Sequence, residues 1–166
     1  MELLEFSERI RLIFDTDIEH LGDALMKAVL NNDQAKYDAY IEAVDGDLSE
    51  DYIRNVYQYY LADRKEMMQD FTPSSMAKLV AMLAGDDKTI IDLCAGTGTL
   101  TVKKMLVGNP DFIIFEKDER VIPFLLFNLV IRNINTVVNV GDVLSDDQTK
   151  RYWIKAGERY GHVINQ

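Results

Sequence analysis

Thr89-Ile90-Ile91-Asp92-Leu93-Cys94-Ala95-Gly96-Thr97-Gly98-Thr99-Leu100 is the stretch that decides the fold of this 166-residue chain. Ile90, Ile91 and Leu93 are residues suited to a short, buried parallel strand. Ala95-Gly96-Thr97-Gly98 then turns the chain. Its two glycines can take positive φ and let a ligand approach the backbone. Leu100, Val102, Met105 and Leu106 resume at helical spacing. The stretch reads strand, turn, helix, which is how a nucleotide-binding βαβ unit opens.

Two ligand classes compete for such a turn. A dinucleotide site wants a third small residue three positions after the second glycine, to pack helix against strand. Position 101 is Thr, and Asp92 at the strand end faces a pyrophosphate unfavourably. A ligand with a cationic amino group and no phosphate suits Asp92 better. S-adenosylmethionine carries both a sulfonium and an ammonium group.

The flanking segments extend the unit. Thr72 is placed to cap a helix with Pro73 at its first position, and Met76, Leu79, Val80 and Leu83 form its apolar stripe up to Gly85. After the glycine turn, Gly108-Asn109-Pro110 stops the next helix, and Asp111–Phe115 reads as a second buried strand. Glu116 closes that strand 18 residues beyond Gly98, where a carboxylate can accept both hydroxyls of a ribose. A carboxylate favoured by a helix N-terminus is the plainer alternative. Asp118 is an N-cap candidate, and Pro123 must lie in the first turn of the next helix. Phe124 to Val130 make that helix apolar all round, interrupted only by Asn128, so it should be sandwiched.

Val137, Val138 and Val140 predict a third strand, ended by Gly141-Asp142. Asp142 there is placed either to accept from an adenine amino group or to make an Asx turn. Residues 145–159 read as a polar loop and short helix anchored by Trp153 and Ile154, and Tyr160–Gln166 begins a fourth strand.

Residues 1–66 show helical periodicity throughout. Leu3, Leu4, Ile10 and Phe14 mark one helix, Leu21, Leu25, Ala28 and Val29 a second, and Tyr37, Tyr40, Ile41 and Val44 a third. Ser49 is an N-cap candidate for a fourth, in which Ile53, Val56, Tyr57, Tyr60 and Leu61 share a stripe running into Met67-Met68. The tyrosines at that spacing are packing residues.

The net charge of −10 is confined to this half: residues 1–70 hold 7 basic and 17 acidic side chains, and residues 71–166 hold 11 of each. An acidic segment does not lie on a phosphate backbone, so it faces solvent or a basic protein partner. Cys94 is the only cysteine and reads as a small packing residue behind the turn; with no disulfide possible, a cytoplasmic location is expected. No apolar run approaches the ~20 residues of a membrane span, the start lacks a basic signal-peptide region, and no metal-ligand spacing is present.

Four stretches in order resemble class I S-adenosylmethionine-dependent methyltransferases. The resemblance is to adenine-N6 DNA methyltransferases of the type I restriction–modification modification-subunit kind. They are Asp70-Phe71-Thr72-Pro73, Asp92-Leu93-Cys94-Ala95-Gly96-Thr97-Gly98, Phe115-Glu116-Lys117-Asp118 and Gly141-Asp142-Val143-Leu144. The resemblance implies an α/β fold: a Rossmann-like methyltransferase core with an incomplete sheet over residues 67–166, preceded by an acidic helical extension over 1–66. It implies S-adenosylmethionine as cofactor, held by Phe71, Thr72, Asp92, Cys94, Ala95, Gly96, Thr97, Gly98, Glu116, Lys117, Asp142 and Val143. DNA is the substrate it implies for the complete enzyme. The family transfers methyl with an Asn/Asp-Pro-Pro-Tyr/Phe loop after the fourth strand, on whose aromatic residue a flipped base stacks. Asn165-Gln166 falls where that loop starts, so the expectation is a cofactor-binding portion without catalytic residues, inactive alone. A methyltransferase for RNA, protein or a small molecule shares this cofactor half, and so does a non-catalytic partner-binding module.

Overall fold

A computed structural model describes residues 2–63, 65, 69–85, 87–108, 110–145 and 147–164. Helices α1 (Leu3–Phe14), α2 (Leu21–Leu30), α3 (Gln34–Ala43) and α4 (Tyr52–Val56) come first, and a wide π turn over Tyr57–Leu61 extends the last. α5 (Ser74–Leu83) leads into β1 (Thr89–Asp92). Strands and helices then alternate through α6 (Thr99–Met105), β2 (Asp111–Glu116), α7 (Ile122–Ile131) and β3 (Thr136–Asp142). β4 (Asp147–Lys155) and β5 (His162–Ile164) complete one sheet in the order β1-β2-β3-β4-β5. The architecture is Rossmann-like α/β with a helical N-terminal part, as the sequence pattern implies.

β1, β2 and β3 are parallel because a helix crosses over after each of the first two, with Ile90 opposite Phe112 and Ile114 opposite Val138. β3 pairs antiparallel with β4, and the register shifts at a bulge between Val140 and Gly141. Only glycine fits there: at φ +152°, a Cβ on Gly141 would lie 1.9 Å from the Asp147 carbonyl oxygen. Residues 147–155 are strand, not the loop and short helix expected over 145–159, so the strand expected from Tyr160 on is the fifth, antiparallel to β4 at the sheet edge, and Asn165 and Gln166 lie outside the described residues. Ile154 anchors β4 in the core, whereas Trp153, also expected as an anchor, is largely exposed.

All ten residues of α7 are buried. One face lies on the sheet and the other carries the N-terminal helices. The Phe127 ring makes edge contacts with Tyr40 (4.9 Å), Phe14 (5.5 Å) and Tyr37 (5.9 Å), and Phe124 meets Tyr57 at 4.9 Å. Such pairs add about 0.5–1.5 kcal/mol each beyond the area they bury. One apolar core runs from Phe6 and Ile10 through α7 to Ile114 and Val138, so packing crosses the composition boundary near residue 66.

Three local boundaries differ from expectation. Asp51, not Ser49, caps α4, accepting from the Arg54 amide, while the Ser49 amide and hydroxyl both turn to Asp47. The helical stripe ends at Leu61; Met67 and Met68 lie outside the described residues. α5 starts at Ser74 with Pro73 as its capping position, so Thr72 lies in the preceding loop. Its buried face is Ala77 and Ala81, whose small side chains let it pack closely on α6. Met76, Leu79, Val80 and Leu83, the expected core stripe, are exposed instead, beside the edge strand β1.

Candidate functional site

The glycine turn is a set of short hydrogen bonds. The Ala95 amide donates to the Phe115 carbonyl (3.1 Å), and the Gly98 amide to the Ala95 carbonyl (2.9 Å). Gly96 and Gly98 take φ of +56° and +94°, which side chains resist. The Phe71 ring rests on Gly96, with Cε1 3.3 Å from where a Cβ would stand, and its edge meets Tyr57 at 5.8 Å.

Glu116 reaches the turn from the tip of β2. The Gly96 amide donates to its Oε2 (2.7 Å) and the Asp118 amide to its Oε1 (2.8 Å). Asp118 is not the cap of α7, a position that Val121 takes. Its carboxylate instead accepts from the Arg120 amide and guanidinium, the Gln69 amide group and the Tyr57 hydroxyl. Burial opposes its charge, yet these donors hold Asp118 below the usual carboxylate range.

These groups surround an open cavity of about 220 Å³. Cys94, Ala95 and Gly96 form its floor, Gln69 to Thr72 one side and Glu116 to Asp118 the other, and Thr99, Leu100 and Val121 complete the lining. The lining mixes three carboxylates (Asp70, Glu116 and Asp118) and the Lys117 ammonium with an aromatic ring and aliphatic carbon. It suits a ligand that carries positive charge, hydroxyl donors and apolar surface.

Of the residues singled out in the sequence, Phe71, Thr72, Cys94, Ala95, Gly96, Glu116 and Lys117 meet in this cavity. Cys94 is exposed there and does not pack behind the turn. Asp142 approaches from the end of β3, where its Oδ2 lies 3.8 Å from the Lys117 ammonium and its Oδ1 accepts from the Leu144 amide (2.9 Å). Val143 follows it, outside the lining.

Three others are turned away. Gly98 backs onto Leu125, whose Cδ1 would be 2.9 Å from a Cβ. Thr97 is fully buried, and its hydroxyl donates to Asp51 (2.6 Å). Asp92 lines a second, mostly apolar cavity with Val80, Ile90, Leu93 and Phe112, on the α5 side of the turn. There the Thr101 hydroxyl donates to it (3.1 Å), which is why a threonine stands where a dinucleotide turn wants glycine or alanine. Burial pushes the Asp92 carboxyl up.

A buried polar cluster under the turn has no counterpart in the sequence reading. Asp51 Oδ2 accepts from the hydroxyls of Thr97 (2.6 Å) and Thr99 (2.7 Å), and Oδ1 from the Asn128 amide group (2.7 Å). Asn128 also donates to the Thr97 carbonyl (2.9 Å), while the Arg132 guanidinium donates to its Oδ1 (2.8 Å). The lone asparagine of an apolar helix was the one visible signal. Nothing in the sequence marks Asp51 among its acidic neighbours.

Among the described residues no cluster of three or more His, Cys, Asp or Glu is arranged to hold a metal ion, and no helix is long and apolar enough to cross a membrane. Compared with family models, the chain matches N-6 DNA Methylase over residues 47–163. The match starts beside the Asp51 cluster and takes in every segment that lines the cavity. No curated protein and no solved structure matches the chain.

Proposed function

The chain belongs to the N-6 DNA methylase family, and we propose that it binds S-adenosylmethionine in the cleft between Gln69–Thr72 and Glu116–Asp118, in the service of adenine-N6 methylation of DNA. The observation that carries this reading is the Glu116 carboxylate. Two backbone amides, at 2.7 and 2.8 Å, fix its orientation at the cavity wall. Each oxygen retains acceptor capacity for one of two vicinal ribose hydroxyls. Phe71, Thr72 and the Cys94-Ala95-Gly96 floor then take the methionine end. Lys117, Asp142 and Val143 lie toward the adenine.

The bound cofactor supplies a methyl group on sulfonium, whose direct displacement by an amine needs alignment rather than a metal. The chain's own contribution is to hold the ligand in one pose against a rigid turn. Asp92, facing the other cavity, acts through the Thr101 contact that fixes α6 against β1. A modification subunit of the type I restriction kind, working in the cytoplasm, is the reading we favour within the family. The acidic N-terminal half then faces a protein partner and not DNA.

Calorimetry with S-adenosylhomocysteine and with NAD tests the assignment. S-adenosylhomocysteine should bind and NAD should not; equal or tighter NAD binding would overturn it. Glu116→Ala should weaken S-adenosylhomocysteine by about 1.5–3 kcal/mol, the worth of hydrogen bonds to a charged group. Unchanged affinity in the folded variant would move the ribose elsewhere.

A further inference from the structure

We infer that Asp51 is a positioning residue for the cleft, and that the segment Asp47–Arg54 around it fixes how the floor of the ligand site stands against the side that carries Phe71. The inference rests on the cofactor reading above. No residue of this segment lines the cavity. It acts on the floor and on the Phe71 side of the site from behind.

At the floor, the Asp51 carboxylate holds Thr97 and Thr99, the residues that bracket Gly98 at φ +94°. At the Phe71 side, the Arg54 guanidinium donates to the Thr72 carbonyl (2.8 Å), and the Ser74 hydroxyl donates to Glu50 (2.8 Å). Lys103, on α6 just after the turn, donates to the Ser49 carbonyl (2.7 Å) and pairs with Glu50. Arg132 ties the segment down from α7 through the carbonyls of Leu48 (2.9 Å) and Glu50 (2.7 Å). The floor of the cleft and the loop carrying Phe71 thus hang from one piece of chain.

Asp51 is 3% exposed. A buried carboxylate is costly, and apolar residues of similar volume fill such a place with equal or better stability. What a carboxylate provides and a hydrocarbon does not is direction: four donors converge on two oxygens and leave the glycine turn a single conformation.

The test uses the full chain with Asp51→Ala, Asp51→Asn, Thr99→Val and, as a control distant from the cleft, the core variant Ile10→Ala. S-adenosylhomocysteine affinity is measured by calorimetry at a temperature where each variant is folded. Ligand-free hydrogen exchange is followed at the Gly96, Gly98 and Ala77 amides. Asp51→Ala should raise Kd at least tenfold and speed exchange at all three amides together. Thr99→Val should raise Kd about threefold. Asp51→Asn should recover most of the affinity, because its amide accepts at Oδ1 and donates to the two hydroxyls. Ile10→Ala should lower the melting temperature and leave affinity and the three amides unchanged. Wild-type affinity and protection in folded Asp51→Ala would overturn the proposal, as would the same losses in Ile10→Ala. Should the wild-type chain not bind S-adenosylhomocysteine while the three amides still loosen together in Asp51→Ala, the cofactor reading falls and the spacing role stands.

Discussion

Replacing Asn128 by leucine sets two effects of opposite sign against each other. α7 is buried along its whole length, and Asn128 is its one polar residue, with no exposed surface. Counted by hydrophobicity alone, a leucine there gains up to about 1.5–3 kcal/mol. The hydrogen bonds argue the other way. Asp51 loses the 2.7 Å bond to its Oδ1, worth about 1.5–3 kcal/mol for a charged acceptor. The Thr97 carbonyl loses its 2.9 Å donor, which costs about 1–3 kcal/mol for a buried group left unmet. Arg132 keeps the Asn128 backbone carbonyl (3.0 Å) but loses Oδ1. The two bulkier methyl groups that replace Oδ1 and Nδ2 must also fit a close-packed site. We expect a net destabilisation of about 2–4 kcal/mol for Asn128→Leu, once the apolar gain is set against the unmet polar groups. Urea unfolding followed by circular dichroism reads this directly, as a lower midpoint at unchanged slope. A leucine variant as stable as the wild type, or more so, would refute the cluster beneath the glycine turn.

Gly98→Ala should cost about 1–3 kcal/mol in urea unfolding, from the left-handed backbone together with the clash at Leu125. Measured against Leu125→Ala alone, Gly98→Ala in that background should keep the backbone cost and lose the clash; no remaining cost there would place the strain in packing alone. Asp92 and Asp118 should give stability profiles of opposite sign with pH. Burial raises Asp92, so its contribution is complete below the unfolded carboxylate pKa and is lost as pH rises through the raised folded value. Asp92→Asn should therefore raise the melting temperature at pH 7, with the gain vanishing in acid; a loss at pH 7 would contradict the burial argument. Asp118 is held low by Arg120 and Gln69 against the opposing effect of burial. Its contribution is present above the unfolded pKa and lost as pH falls through the lowered folded value. Asp118→Asn should destabilise at pH 7 and cease to matter in acid.

The parallel strands and their crossovers are legible because each is a short local signal, but the burial expected of the first is not found: β1 is an edge strand, and Ile91 and Leu93 are exposed. Apolar runs, two glycines, and Pro123 in the first turn of an all-apolar helix need no distant partner to be read. β4 was not legible: its alternation is mostly polar, and pairing with β3 through the Gly141 bulge makes it a strand. The direction of α5 was hidden for a related reason. Its alanines, not its larger side chains, face α6. Around the site, Phe71, Gly96 and Glu116 stood out by type and order, and the structure brings them together. Thr97 and Asp92 were named for the same motif, yet their side chains face Asp51 and the second cavity. A motif fixes the path of the backbone; the side on which a given residue points depends on partners far away in sequence.

Those distances bear on how the chain folds. The carboxylate under the turn comes from 46 residues before Thr97 and 77 before Asn128. Closing loops of that length costs chain entropy before any bond rewards it, which slows assembly. The side-chain bonds that fix the glycine turn from beneath are all of this long-range kind, so no local segment of the chain holds the ligand cleft in shape by itself.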